Sequence, residues 1–260
     1  MPDEVPKIEI RDLTMAFGSF VVMRDINAKV TKGEIFIVMG GSGCGKSTLL
    51  RHMVGLKVPA KGDVFYDGKP FWGAGDEERT WMIRSFGVMF QAGALWSSMT
   101  LAENVSLPLA EFTELPERDI AEVARLKLSL VGLKGFEDYY PSEISGGMSK
   151  RAGLARAMAL DPEILFFDEP SAGLDPITSR KLDELILQLR DSLGATFVVV
   201  THELESIFAI GDTAIFLDAK SRTVLEQGNP REMREQSEHP EVKEFLSKNE
   251  RSKPTTSRAA

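Results

Sequence analysis

The residues able to do chemistry fall in three short runs. Gly40, Gly41, Ser42, Gly43, Cys44, Gly45, Lys46, Ser47 and Thr48 follow the spacing G-x-x-x-x-G-K-[ST], directly after an apolar run at 34–39. Glycines at that spacing let successive backbone N–H groups turn inward around phosphate oxygens, and a helix opening at Lys46 adds the positive end of its dipole. Lys46 is then placed for the β- and γ-phosphates of a nucleoside triphosphate, and the Ser47 hydroxyl for Mg²⁺. The second run is Ile164, Leu165, Phe166, Phe167, Asp168 and Glu169, an apolar strand ending in two carboxylates. Asp168 suits water-mediated binding of Mg²⁺, and Glu169 suits polarising a water for attack on the γ-phosphate. Many strands end in acidic residues, so it is the loop at 40–48 that gives this pair its meaning. The third run, Ser145, Gly146, Gly147 and Met148, opens a helical stretch at 149–159. A hydroxyl and two glycines at a helix start offer a second anion site.

Short apolar runs alternating with amphipathic stretches supply the elements that hold these runs, and predict an α/β protein with a buried sheet. Residues 8–17 and 22–30 read as an antiparallel entry sheet, and 34–39 as the buried strand feeding the glycine loop. Further strands are expected at 62–66, 88–91, 164–168, 196–201 and 214–218, with Asp67 and Gly68 as a turn. Between 91 and 160 the strand signal disappears. Residues 115–132 are helical, with Pro116 near the start and Gly132 just past the end, which predicts an inserted helical lobe. Gly228, Asn229 and Pro230 break the chain, 231–247 reads as one peripheral helix, and 248–260 as a polar, disordered tail.

Composition narrows the classes. A net charge of −8 over 260 residues argues against a protein whose task is gripping nucleic acid. The single cysteine, Cys44, excludes an internal disulfide and fits a reducing compartment. Beside Lys46 and a helix N-terminus it is expected to have thiolate character, so that alkylation blocks activity and nucleotide protects. No run approaches the roughly 18 apolar residues of a membrane span. The first residues lack a secretory leader's apolar centre, so the chain is expected to be cytoplasmic, reaching a membrane through partners.

Taken in order, the glycine loop, Gln91, Ser145-Gly146-Gly147, Asp168-Glu169, the run Ser171 to Asp175 and His202 resemble the nucleotide-binding domain of ABC ATPases. The resemblance implies a P-loop NTPase with a RecA-like core, an antiparallel β subdomain and an inserted α-helical lobe. It divides the chain into core (1–91), signature lobe (92–160), core (161–230), peripheral helix (231–247) and tail (248–260). It further implies a homodimer paired head to tail, with ATP between one subunit's glycine loop and the other's Ser145, and ATP hydrolysis as the activity. Gln91 would meet Mg²⁺ or the lytic water and join the lobes, His202 would contact the γ-phosphate, and Asp175 would sit at the dimer seam. Phe17 would stack on adenine, though it reads equally as a core aromatic. Met148 stands where many family members have Gln, and Ile144 replaces a commoner Leu at little change of volume.

A narrower likeness lies in the run Phe90 to Trp96, in Glu103-Asn104-Val105, in Met148, in Asp175-Pro176-Ile177-Thr178 and in residues 239–246. These are similar to the ATPases of Mla and MCE phospholipid transporters. The likeness implies an integral-membrane permease and an MCE-type lipid-carrier subunit as partners, on the cytoplasmic face of an inner membrane. Leu95, Trp96 and Met99 read either as a groove for a permease helix or as lobe core. Three alternatives stay open: a cassette for another cargo, a soluble ABC ATPase acting on DNA or ribosomes, and a regulatory subunit that does not hydrolyse.

Overall fold

The computed structural model describes residues 5–91 and 93–247. β1 (Ile8–Phe17) and β2 (Phe20–Val30) alternate inward and outward residues and pair antiparallel across a tight turn that sets Phe17 opposite Phe20. β3 (Ile35–Gly40) is buried at every position, as a strand inside a parallel sheet must be, and runs through the glycine loop into α1 (Lys46–Met53). β4 (Lys61–Tyr66) and the short β5 (Lys69–Pro70) complete a four-stranded antiparallel sheet in the order β2-β1-β4-β5.

α2 (Asp76–Arg84) leads to β6 (Phe86–Met89), so the strand lies nearer the N-terminus than the expected 88–91. At Gly87 a Cβ would lie 2.2 Å from the Ala157 carbonyl oxygen, so only glycine lets the strand lie this close to the chain that follows the lobe. Gln91, past the end of β6, is a loop residue.

The described residues from there to 160 hold helices and loops. α3 (Leu101–Phe112) opens with a reciprocal cap between Thr100 and Glu103. α4 (Glu117–Leu130) follows Pro116 and ends ahead of Gly132, whose φ is 71°, and α5 (Gly146–Ala157) is capped by Ser145. Leu101, Val105, Leu109, Ala124 and Leu128 pack these helices together. Buried Asn104 ties down the loop before α3, accepting from the Trp96 N–H at 2.7 Å and donating to the carbonyls of Trp96, Met99 and Thr100.

β7 (Ile164–Asp168), α6 (Pro176–Leu193), β8 (Thr196–Val200), α7 (Leu204–Ile210), β9 (Thr213–Asp218) and β10 (Thr223–Gly228) return the chain to the core. The main sheet has the order β10-β9-β3-β8-β7-β6, parallel from β9 to β6 with β10 antiparallel on the edge. The expected single helix at 231–247 is two, α8 (Pro230–Gln236) and α9 (Pro240–Leu246), because Pro240 cannot continue a helix through His239. Nor are they peripheral, since Met233, Val242, Phe245 and Leu246 are buried in the main core. The expected tail at 248–260 lies outside the described residues. No described helix is long and apolar enough to cross a membrane.

Candidate nucleotide site

The carboxyl ends of four neighbouring parallel strands converge on one cavity, as loops do in open parallel sheets. Gly40 ends β3, Asp168 ends β7, His202 follows β8 and Gln91 follows β6. The glycine loop takes positive φ at Gly40, Gly43 and Gly45, and at Gly40 a Cβ would lie 2.4 Å from the Leu217 carbonyl oxygen. Lys46 folds across the loop, its Nζ donating to the carbonyls of Gly40 and Gly41 at 3.0 and 3.1 Å. α1 starts from Gly45 in the left-handed region with no side chain capping it, so an anion is the cap that its first N–H groups lack.

Ser47 Oγ donates to Asp168 Oδ1 at 2.9 Å. A hydroxyl and a carboxylate meeting at one point form the all-oxygen donor set that Mg²⁺ prefers, so these residues fit the ion. Glu169 has φ 50°, a conformation costing a non-glycine residue about 1–3 kcal/mol. Its N–H donates to the Val200 carbonyl at 2.8 Å, and its Oε1 is hydrogen-bonded to His202 Nδ1 at 2.7 Å. Its Oε2 is buried without a partner among the described residues, an acceptor suited to a water.

The cavity of about 530 Å³ is lined by Phe17, Phe20, Val22, Ser42, Gly43, Gly45, Lys46, Ser47, Thr48, Gln91, Glu169 and His202. Phe17 is 55% exposed, which decides against a core aromatic. Sequence reasoning missed Phe20 and Val22. The signal was the Gly18-Ser19 turn, since a hairpin closing there must set Phe20 beside Phe17. Cys44 corrects an expectation. Its side chain is 2% exposed and packs among β-strand residues, and burial raises the thiol's pKa more than nearby Lys46 lowers it. Desolvation of the thiolate outweighs the cation and the helix end, which opposes the thiolate character expected from sequence.

Ser145, Gly146, Gly147 and Asp175 are not brought to this cavity. Ser145 Oγ accepts from the Met148 N–H at 3.2 Å, closing the start of α5 on itself. Gly147 packs against α6, where a Cβ would lie 2.6 Å from Thr178 Cγ2. Ser145, Gly147 and Met148 line a separate cavity of about 480 Å³ with Arg151 and Lys181. Asp175 caps α6 through the N–H groups of Ile177 and Thr178 at 3.0 and 3.1 Å, and its hydrogen bonds, that from the Thr178 hydroxyl foremost, hold its carboxyl below the usual range.

A glycine loop on an interior strand of the parallel sheet, an acidic pair on a nearby strand end and helices inserted between β6 and β7 define a P-loop NTPase of the cassette type. The chain belongs to the ABC transporter family, whose model matches residues 23–172, and it is an ATP-hydrolysing subunit of that kind. It is 39% identical over 240 residues to the intermembrane phospholipid transport system ATP-binding protein MlaF of Haemophilus influenzae, covering 92% of this chain and 89% of that one. It is 40% identical over 239 residues to the probable ribonucleotide transport ATP-binding protein mkl of Mycobacterium leprae, covering 92% of this chain and 68% of that one. Its fold is similar to an ATP-binding cassette solved as a dimer in a post-hydrolysis state with ADP and Pi, at a TM-score of 0.76 and 30% identity over 85% of this chain and 98% of that one. CbiO1 of Clostridium perfringens, part of an ABC transporter complex, is similar at a TM-score of 0.80 and 27% identity, covering 88% of this chain and 91% of that one.

Proposed function

We propose that two copies of this chain pair head to tail, each completing the other's ATP site, and drive phospholipid through a separate permease from the cytoplasmic face of an inner membrane. One observation carries the pairing: the Ser145 helix start and the Lys46 helix start face different cavities of the same chain. A second copy brings one copy's Ser145, Gly146 and Gly147 onto the other's nucleotide, with Asp175 at the seam. A similar cassette was solved as a dimer with ADP and Pi, which supports this arrangement.

In this reading Phe17 and Phe20 hold the adenine. The loop from Gly40 to Thr48 surrounds the phosphates with N–H groups, and Lys46 moves from its loop carbonyls to the β- and γ-oxygens. Ser47, Asp168 and Gln91 would hold Mg²⁺, which when bound neutralises charge on the phosphates. Glu169 takes the proton of the attacking water through the carboxylate that His202 steadies, and His202 also meets the γ-phosphate.

Phospholipid as cargo, with an MCE-type carrier subunit as further partner, rests on likeness to the Haemophilus relative, which this chain matches over most of its length. For the permease, an apolar groove of about 200 Å³ runs between the core and the helical lobe, lined by Ile83, Phe86, Val88, Pro108, Phe112 and Leu160 among others. Leu95, Trp96 and Met99 lie outside this groove, with Trp96 exposed.

Glu169→Gln tests the pairing and the hydrolytic role together. Turnover should fall by about a hundredfold or more, and an ATP-bound dimer should accumulate in light scattering. A variant that stays monomeric with ATP and hydrolyses normally sinks the reading. Co-purification from membranes tests the cargo: a permease with a lipid carrier and bound phospholipid supports it, whereas an amino-acid or metal-ion permease removes the lipid part alone.

A further inference from the structure

Helix α5 turns two cations onto main-chain carbonyls, Lys150 buried and Arg156 half-buried. Lys150, 7% exposed, donates its Nζ to the main-chain carbonyl of Gln91 and, at 3.4 Å, to that of Glu169. Arg156 donates to the carbonyls of Ala94 and Gly93 at 2.6 and 3.2 Å. Between them Gly153 lies so close to the same loop that a Cβ would be 3.1 Å from the Gly93 carbonyl oxygen. These three positions recur every third residue and so share one face of the helix. Neither cation enters an ion pair among the described residues. Burial pushes the pKa of both downward.

For Lys150 burial outweighs the attraction of the Glu169, Glu203 and Asp168 carboxylates nearby, and an apolar side chain of similar length would fill the same space without that penalty. What the ammonium of Lys150 adds is its choice of acceptors. Gln91 opens the loop that leads into the helical lobe, and Glu169 carries the carboxylate beside His202. The left-handed backbone of Glu169 makes the direction of that carboxylate depend on how its main chain is held.

We propose that Lys150 is a positioning residue for ATP hydrolysis. Its ammonium latches the helix that begins at Ser145 to the main chain of Gln91 and Glu169. The helix end offered to the partner's nucleotide is thereby held in register with the chain's own hydrolytic residues. A shift of α5 reaches Glu169 through one side chain. The inference rests on the roles proposed above for Glu169 and Gln91.

Lys150→Met in the full-length chain is the test. With the hydrolytic groups displaced and the glycine loop intact, kcat should fall about tenfold or more while KM for ATP stays within about twofold. Thermal stability should hardly change. Lys150→Arg keeps a cation that can reach the carbonyls and should retain at least about a third of the wild-type kcat. Wild-type kcat in Lys150→Met overturns the latch. So does a loss of kcat that is matched by a loss of Tm and unrepaired by Lys150→Arg, because that pattern marks a merely structural cation. If Lys150→Met does not fold, Lys150→Gln decides: a reduced kcat at unchanged KM supports the latch, and an unchanged kcat overturns it. Glu169→Gln, measured alongside, separates the two levels. Full activity in Glu169→Gln overturns the hydrolytic reading itself; an inactive Glu169→Gln beside a fully active Lys150→Met overturns the latch alone.

Discussion

Two helix starts of the chain, at Lys46 and at Ser145, are finished to different degrees. α1 begins at Gly45 with no side-chain cap, at the end of a loop whose lysine is folded over it. α5 begins at Ser145, which is exposed and supplies its own cap through the Met148 N–H. An uncapped start leaves N–H groups wanting an acceptor and is stabilised by the anion it binds. A capped start is stable alone and gains little until an anion is brought to it in place. In the proposed pair, that contrast separates a site that binds within one chain from a surface that acts on a neighbour.

The strongest way to break this comparison is to remove the first site's cation. Lys46→Ala should weaken MgATP binding by about a hundredfold or more in isothermal titration, since a charge-assisted contact from a buried lysine is lost. If binding survives, α1 is not the start that fills first. Gly147→Val attacks the second site, where even a Cβ is 2.6 Å from Thr178 Cγ2. Turnover should fall about tenfold to a hundredfold while affinity for ATP changes less than about threefold, because the loss is felt only in the assembled pair. An equal loss of affinity would merge the two sites into one.

The smallest effect belongs to Asp183, further along the helix against which Gly147 packs. Burial raises its carboxyl to about 6, although Ser206 Oγ donates to it at 2.8 Å. Between its ordinary 3.8 and about 6 the folded chain holds a proton that the unfolded chain has released. Stability from this group is therefore greatest below that window and declines as pH rises through it. Asp183→Asn should flatten the decline in Tm over that window and leave turnover unchanged. A Tm profile still parallel to wild type would show that Asp183 is not the titrating group.

The parts legible in the sequence are those whose chemistry is local. The glycine loop, the strand ending at Asp168-Glu169 and the capped start at Ser145 each depend on consecutive residues, and the α/β cassette fold follows from the strand-loop-helix order around them. What escaped depends on contacts distant in sequence. Lys150 meets Gln91 across 59 positions, and no motif spacing signals it. Cys44 misled because neighbours in sequence, Lys46 and a helix end, argued for a thiolate while the fold buried the sulfur. The apolar groove combines α2, β6, α3 and the end of α5, elements that no single run of sequence brings together. Pro240 was a visible stop signal inside a stretch read as one helix.

The two sheets are stitched at β10: the Arg24 N–H donates to the Arg222 carbonyl at 2.9 Å, and the Gln227 side chain brackets the main chain of Lys29. The aromatic hairpin therefore hangs from one edge of the main sheet, while Gln91 and the groove belong to the opposite edge at β6. With six strands spaced about 4.8 Å apart, the two edges lie roughly 24 Å from each other. The nucleotide cavity spans that distance, with the hairpin as one wall and Gln91 as the other. A chimera that exchanges the β6 margin and its helices for those of another cassette would therefore alter the fuel inlet along with the harness.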